Sequence, residues 1–120
     1  MNENEISHIV IGAAIEVHRE MGPGLLESVY EHCLEVELRR RGLDVERQVE
    51  VPVHYKEQKL EIGFRMDLWV ERKVILELKS VEVVHPLHKA RLLNYLKLMD
   101  NKLGLMLNFN VLLMRSGNER

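Results

Sequence analysis

Apolar residues first recur at a helical period. Ile6, Ile9, Val10, Ala13 and Val17 fall on one stripe across residues 5–20, with Ala14 and Met21 near it, which predicts an amphipathic helix. His8 and His18 match no metal-ligand spacing and are expected at the surface with Glu16, Arg19 and Glu20. Met21-Gly22-Pro23-Gly24 interrupts the period, because two glycines around a proline favour a turn. A second helix is predicted from about Leu25 to Arg41, with Leu26, Val29, Tyr30, Cys33, Leu34 and Leu38 on its apolar face and Gly42 as its stop. Glu31, Glu35 and Glu37 precede Arg39, Arg40 and Arg41, an order that suits the helix dipole and allows acid-to-base pairs.

The period then shortens to two. Residues 45–56, VERQVEVPVHYK, alternate as a half-buried strand does, and Pro52 marks an edge position or a bulge. Glu57-Gln58 is expected to turn the chain into a strand over Lys59–Val70, with a bend near Gly63. Residues 64–79, FRMDLWVERKVILELK, read as a β-hairpin whose turn centres on Arg72. His85-Pro86 opens a third helix, predicted to run to Met99. Its apolar contacts are assigned to Leu87, Ala90, Leu93, Leu96 and Leu98, with Leu92 and Tyr95 flanking. Leu103–Phe109 is nearly all apolar, as suits a strand buried on both faces, and Val111–Met114 suggests a last edge strand before a frayed polar tail. Helix, helix, three strands, helix and strand define an α/β protein with a mixed sheet and helices on its faces. The strand–helix–strand unit over 74–109 should return its second strand parallel to its first, by a right-handed crossover.

Composition narrows this only a little. The 120 residues suffice for one domain, expected to span the whole chain. A net charge of −2 gives no global basic field, so a nucleic-acid partner would have to be held by local patches and a metal ion. The lone Cys33 allows no internal disulfide, no apolar run reaches membrane-spanning length, and the acidic N-terminus is unlike a signal peptide. The expectation is a cytoplasmic protein without a membrane partner.

The hairpin carries the strongest chemical signal. Counting outward from Arg72, Asp67 and Glu77 fall opposite each other. One hairpin face then holds Phe64, Met66, Leu68, Val70, Val74, Leu76 and Leu78, and belongs in a core. The other holds Arg65, Asp67, Trp69, Ile75, Glu77 and Lys79. Directly opposed carboxylates repel, and with Cβ atoms about 4.5–5.5 Å apart they can share one small cation. Magnesium fits an all-oxygen site that keeps water ligands, and Lys79 can offset developing negative charge. The same residues also fit a solvated strand face, and a one-residue slip of register would separate them.

Two further groups stand open in the same way. Gly24, Glu27 and Tyr30 spell GxxExxY, in which Glu27 can cap the second helix or point at the hairpin. His88, Arg91 and Tyr95 share a face of the third helix that is either a phosphate-contacting surface or a solvated stripe with one packed tyrosine.

Asp67 with Glu77-Leu78-Lys79, joined to GxxExxY and the His/Tyr helix in this order, resembles the GxxExxY protein family, a branch of the PD-(D/E)XK nuclease superfamily. The resemblance covers about residues 6–112. It implies a restriction-endonuclease-like αβββαβ core and Mg²⁺- or Mn²⁺-dependent hydrolysis of nucleic acid, expected to be DNA. Asp67 and Glu77 would bind the metal, Glu27 would support it or its water, and Lys79 would position the nucleophilic water. Arg65, His88, Arg91 and Tyr95 would contact substrate. Arg91 stands where the family carries glutamine. A non-catalytic nucleic-acid- or protein-binding module of the same fold is the alternative, and pairing of the last strands between copies would make a homodimer.

Overall fold

A computed structural model describes residues 1–61 and 63–110, together with the backbone of Asn118–Glu119. Helix α1 spans Glu3–Met21 and starts on a capping box, in which Asn2 and Glu5 each accept the other's backbone N–H. Its stripe is buried as the period requires, at Ile6, Val10, Ala13, Ala14 and Val17. His18 is buried too, against expectation, with its ring 6.4 Å from that of Phe109. Helix α2 spans Glu27–Arg40 and buries Tyr30, Leu34 and Leu38. Leu26, expected on that face, is the N-cap and lies 74% exposed. The predicted acid-to-base pairs form at Glu35–Arg39 (3.2 Å) and Glu37–Arg41 (2.8 Å).

Strand β1 is Val45–Val51, shorter than the alternation suggested. The chain then forms a separate two-stranded ribbon, β2 (His54–Tyr55) with β3 (Gln58–Lys59). The turn falls at Lys56-Glu57, both at positive φ, rather than at Glu57-Gln58. Strand β4 accordingly begins at Phe64, not Lys59, and runs to Val70. Gly63 precedes it where a Cβ would stand 2.9 Å from the Val51 carbonyl oxygen, so only glycine fits. Strand β5 is Val74–Lys79, helix α3 is Pro86–Leu98, and strand β6 is Leu103–Asn108. Strand β7, Asn118–Glu119, pairs antiparallel with β6, where an unpaired tail was expected. The strand predicted at Val111–Met114 lies outside the described residues.

The main sheet has the order β1-β4-β5-β6-β7, with β5 and β6 parallel and the other neighbours antiparallel. This is the mixed α/β architecture that the pattern of elements predicts. One apolar cluster joins α1 and α2 to the sheet through Leu68, Val70, Val74, Leu76, Leu78, Leu105 and Leu107. A second joins α3 to the sheet through Val51, Met66, Trp69, Ile75 and Met106. Helices therefore cover both faces, and β5 is buried along nearly its whole length.

The hairpin faces divide differently from the expected alternation. Leu68 and Val70 enter the α1/α2 cluster, but Met66 enters the α3 cluster, and Phe64 lies 48% exposed beside Tyr95. β4 changes faces between Met66 and Leu68. Its ladder with β1 omits one pair there, Gln48 opposite Asp67, and Gln48 takes a φ of +55°. A single left-handed residue reorients the strand that follows it, as a bulge does.

Helix α3 is rotated relative to expectation. Leu92 and Tyr95 are buried and Leu96 and Met99 pack beside them. Leu87, Ala90, Leu93 and Leu98 face solvent instead. Gly104 lets this helix approach β6, since a Cβ there would meet Leu92 Cδ1 at 2.8 Å.

Candidate active site

The turn Glu71–Lys73, with Glu71 and Arg72 both at positive φ, sets the hairpin register predicted from its centre. β4 and β5 pair at Val70–Val74, Trp69–Ile75 and Leu68–Leu76, and the ladder stops there. One step further the strands fork, with Asp67 and Glu77 in the opening. Each carboxylate accepts the backbone N–H that the missing ladder leaves free. Asp67 N–H donates to Glu77 Oε1 at 3.3 Å, and Leu78 N–H donates to Asp67 Oδ2 at 2.8 Å. Buried backbone donors need partners, and here two acidic side chains supply them.

The pair is electrostatically uncomfortable. Burial, then the Asp67 charge, pushes the Glu77 carboxyl up to about 8, against relief from an amide donor, Lys79 and Arg91. Asp67 is raised as well, by burial first, with Glu31 and Glu27 adding to it and Leu78 N–H and Lys79 opposing. Lys79 and Arg91 offset only part of what burial and the Asp67 charge do to Glu77.

Lys79 is anchored by the parallel partner strand, where it pairs with Asn108, and its carbonyl accepts Phe109 N–H at 2.8 Å. Asn108 is buried and clamps the outgoing chain through Val81 N–H and the Val81 carbonyl. Of the two readings open to Glu27, capping is not seen: no side-chain hydrogen bond caps α2. Glu27 Oε1 accepts Ser80 N–H at 3.2 Å, so the first turn of α2 is fastened to the residue after Lys79. Tyr30, the last residue of GxxExxY, is fully buried. Its hydroxyl donates to the Gly22 carbonyl and accepts Leu25 N–H, and its ring stacks on Phe109 at 4.5 Å. That tyrosine holds the loop from which Glu27 projects.

From the other face, α3 brings His88, Arg91 and Tyr95 towards the fork. Burial first, then Lys79 and Arg91, lowers the His88 imidazole, whose Nδ1 has no hydrogen-bond partner among the described residues. Burial, then Glu77, raises the Tyr95 phenol. Tyr95 is a core residue at 3% exposure, the one packed tyrosine that the solvated-stripe reading of this face included. Arg65 stands apart: it is exposed, pairs with Glu50, and no contact among the described residues ties it to Asp67 or Glu77.

Sequence reasoning missed Glu31. It is 6% exposed and accepts from Arg47 Nη1 at 3.2 Å and Gln48 Nε2 at 2.8 Å. Its charge acts on Asp67 more strongly than that of Glu27 does. The available signal was its position four residues after Glu27, on the same helix face.

Asp67 and Glu77 offer the hard oxygen donors that magnesium or manganese takes. Among the described residues no group of three or more His, Cys, Asp or Glu side chains is gathered for a metal, so Glu27 does not join the pair as a ready third ligand. No helix is long and apolar enough to cross a membrane among the described residues.

An α/β/α sheet that opens into a carboxylate fork, with a lysine two residues beyond the second acid, defines a nuclease-like class of site. A sequence model of the PD-(D/E)XK nuclease superfamily matches residues 4–120, and the chain belongs to that superfamily. Its members generally use divalent metals and act on nucleic acid. No curated protein and no solved structure matches the chain.

Proposed function

We propose that the protein is a Mg²⁺- or Mn²⁺-dependent phosphodiesterase that hydrolyses DNA, of the GxxExxY branch of its superfamily. The observation that carries this reading is the fork. Asp67 and Glu77 are held by each other's strands, point into one opening, and adjoin the Lys79 ammonium. A divalent ion between them would lower the pKa of a water and polarise the phosphoryl oxygen.

The chain's own residues have distinct tasks. Asp67 and Glu77 hold the cation and are relieved of mutual repulsion by it. Lys79 orients the attacking water and offsets charge that develops on the phosphate oxygens. Glu27, fixed to Ser80, stands beside that water as support rather than as part of a closed ligand set. Arg91 contacts phosphate from α3, where arginine binds bidentately in place of the family's glutamine. His88 and Tyr95 line the approach. Arg65 serves only a strand that extends past Phe64.

Metal-dependent cleavage of plasmid or oligonucleotide DNA tests the reading, with Asp67→Ala and Lys79→Ala as controls. Cleavage that survives both substitutions removes the site. The rival, a non-catalytic nucleic-acid- or protein-binding module of the same fold, is favoured by one observation: both carboxylates already spend a lone pair on backbone amides. Manganese titration calorimetry separates the two, because a scaffold shows no binding that Asp67→Asn abolishes. The same preparations, passed over a sizing column, decide between a monomer and a homodimer.

A further inference from the structure

A shallow cavity of about 200 Å³ opens beside the fork, lined by Phe64, Leu87, Ala90, Arg91, Asn94 and Tyr95. Tyr95 links the two places. It is buried in the same apolar cluster as Met66, which adjoins Asp67, and Ile75, two residues before Glu77. On the cavity side the Phe64 ring leans on Tyr95 at 5.8 Å and 46°, yet Phe64 remains 48% exposed and Leu87 64% exposed. Neither apolar side chain serves the core that its neighbours build.

The surrounding charge narrows what such a wall accepts. In a chain of net charge −2, α3 carries Lys89, Arg91 and Lys97 and no carboxylate. Arg91 belongs both to the cavity and to the field on Glu77. An aromatic face, an amide and a guanidinium, continuous with a phosphodiesterase centre, suit a flat heteroaromatic ring attached to a phosphate. The cavity is too small for a base pair. In a duplex, moreover, the flat faces of the bases are covered by stacking, so only an unpaired base offers one.

We propose that this cavity is a nucleobase subsite, and that the substrate is therefore single-stranded nucleic acid. One unstacked base lies against Phe64, the Asn94 amide meets its edge, and Arg91 holds the adjoining phosphate beside the bond to be cut. The proposal deepens the reading of the fork and rests on it for the identity of the ligand.

Binding is measured by fluorescence anisotropy on Lys79→Ala protein, so that the strand stays intact whether or not the fork is catalytic. The probes are a short single-stranded deoxyoligonucleotide, its duplex, and a strand of abasic nucleotides. The single strand should bind at least tenfold tighter than the duplex. Phe64→Leu keeps apolar bulk against Tyr95 but removes the ring, and should weaken single-strand binding about ten- to a hundredfold, the range of a lost base–aromatic stack. Phe64→Ala should do no less. The abasic strand should bind equally to protein that retains Phe64 and to the Phe64→Leu variant.

Full binding by Phe64→Leu overturns the subsite, as does a duplex that binds as tightly as the single strand. Loss of abasic-strand binding in Phe64→Leu also overturns it, because the ring would then not act through a base. A change of oligomeric state without a change in oligonucleotide binding assigns the apolar face to a protein contact instead, and again sinks the proposal. Base-dependent binding by a protein that cleaves nothing retains the subsite and removes the catalytic reading. Duplex cleavage indifferent to Phe64 does the reverse.

Discussion

Replacing Glu77 with glutamine should stabilise the metal-free protein at neutral and alkaline pH. The Glu77 carboxyl titrates near 8 in the folded chain, against 4.5 when free. At pH below 4.5 both states carry the proton, and the group contributes no difference. As pH rises from 4.5 to 8, the unfolded chain loses this proton while the folded chain keeps it. The unfolded state is favoured by up to about 1.4 kcal/mol for each pH unit across that window. The ceiling is about 5 kcal/mol by pH 8, and water entering the fork reduces it to roughly 2–3 kcal/mol, in line with the several kcal/mol of a buried ion.

Glutamine retains an Oε1 that accepts Asp67 N–H, so the fork should keep its shape. Glu77→Gln is then expected to match wild type near pH 4.5 and to exceed it by about 2–3 kcal/mol at pH 8. Urea unfolding in EDTA at several pH values reads this as a midpoint shift with an unchanged slope. Manganese supplies the second arm. It should stabilise wild type by about 2.7 kcal/mol at a hundredfold excess over its dissociation constant, and Glu77→Gln much less. Parallel stability–pH curves for the two proteins would refute the buried-charge argument. Equal stabilisation by manganese would refute the assignment of Glu77 as its ligand.

Three other substitutions probe the surroundings. Arg91→Ala should weaken oligonucleotide binding and lower the slope of log affinity against log salt by about one, as the loss of a single phosphate contact does; an unchanged salt slope places Arg91 off the backbone. Glu31→Ala removes the acceptor of Gln48 and leaves Arg47 only Glu35 as an acid partner, and should lose about 1–3 kcal/mol in urea unfolding; a neutral result would mean water replaces it at no loss. Gly104→Ala pushes Leu92 from β6 and should lower stability by about 1–3 kcal/mol, with cleavage falling as α3 shifts; full activity at reduced stability would separate α3 from the chemistry.

Much of the fold was legible because period and turn chemistry agree. Helix α1 has one apolar stripe and one way to bury it. The run from Leu103 to Phe109 is nearly all apolar, as a strand covered on both faces should be, and β6 is buried along nearly its whole length. Helix α3 was placed but not oriented. It has five leucines scattered around its girdle, so no single stripe stands out, and the packing of Tyr95 and Leu92 on Met66, Ile75 and Met106 decides its rotation. The short ribbon at His54–Lys59 was hidden because Val53 and Tyr55 continue the alternation of β1 past Pro52.

The site shows the same division more sharply. The opposition of Asp67 and Glu77 follows from counting out of a three-residue turn, which is local. The exchange of faces between Met66 and Leu68 is not local, since apolar residues occupy the alternate positions on both sides of it. That exchange depends on Gln48, a residue nineteen positions earlier than Asp67, taking a left-handed φ and handing its amide to Glu31. Glu31 in turn looks, in sequence, like one more acid in a helix whose charges are ordered for the dipole. Yet the break it stabilises is what interrupts the ladder at Asp67. A continuous ladder would have occupied the amides of Asp67 and Leu78 with backbone carbonyls and kept the strands side by side through the site. Interrupting it frees both amides for carboxylates, and the same interruption opens the fork in which two acids and a lysine can face one phosphate.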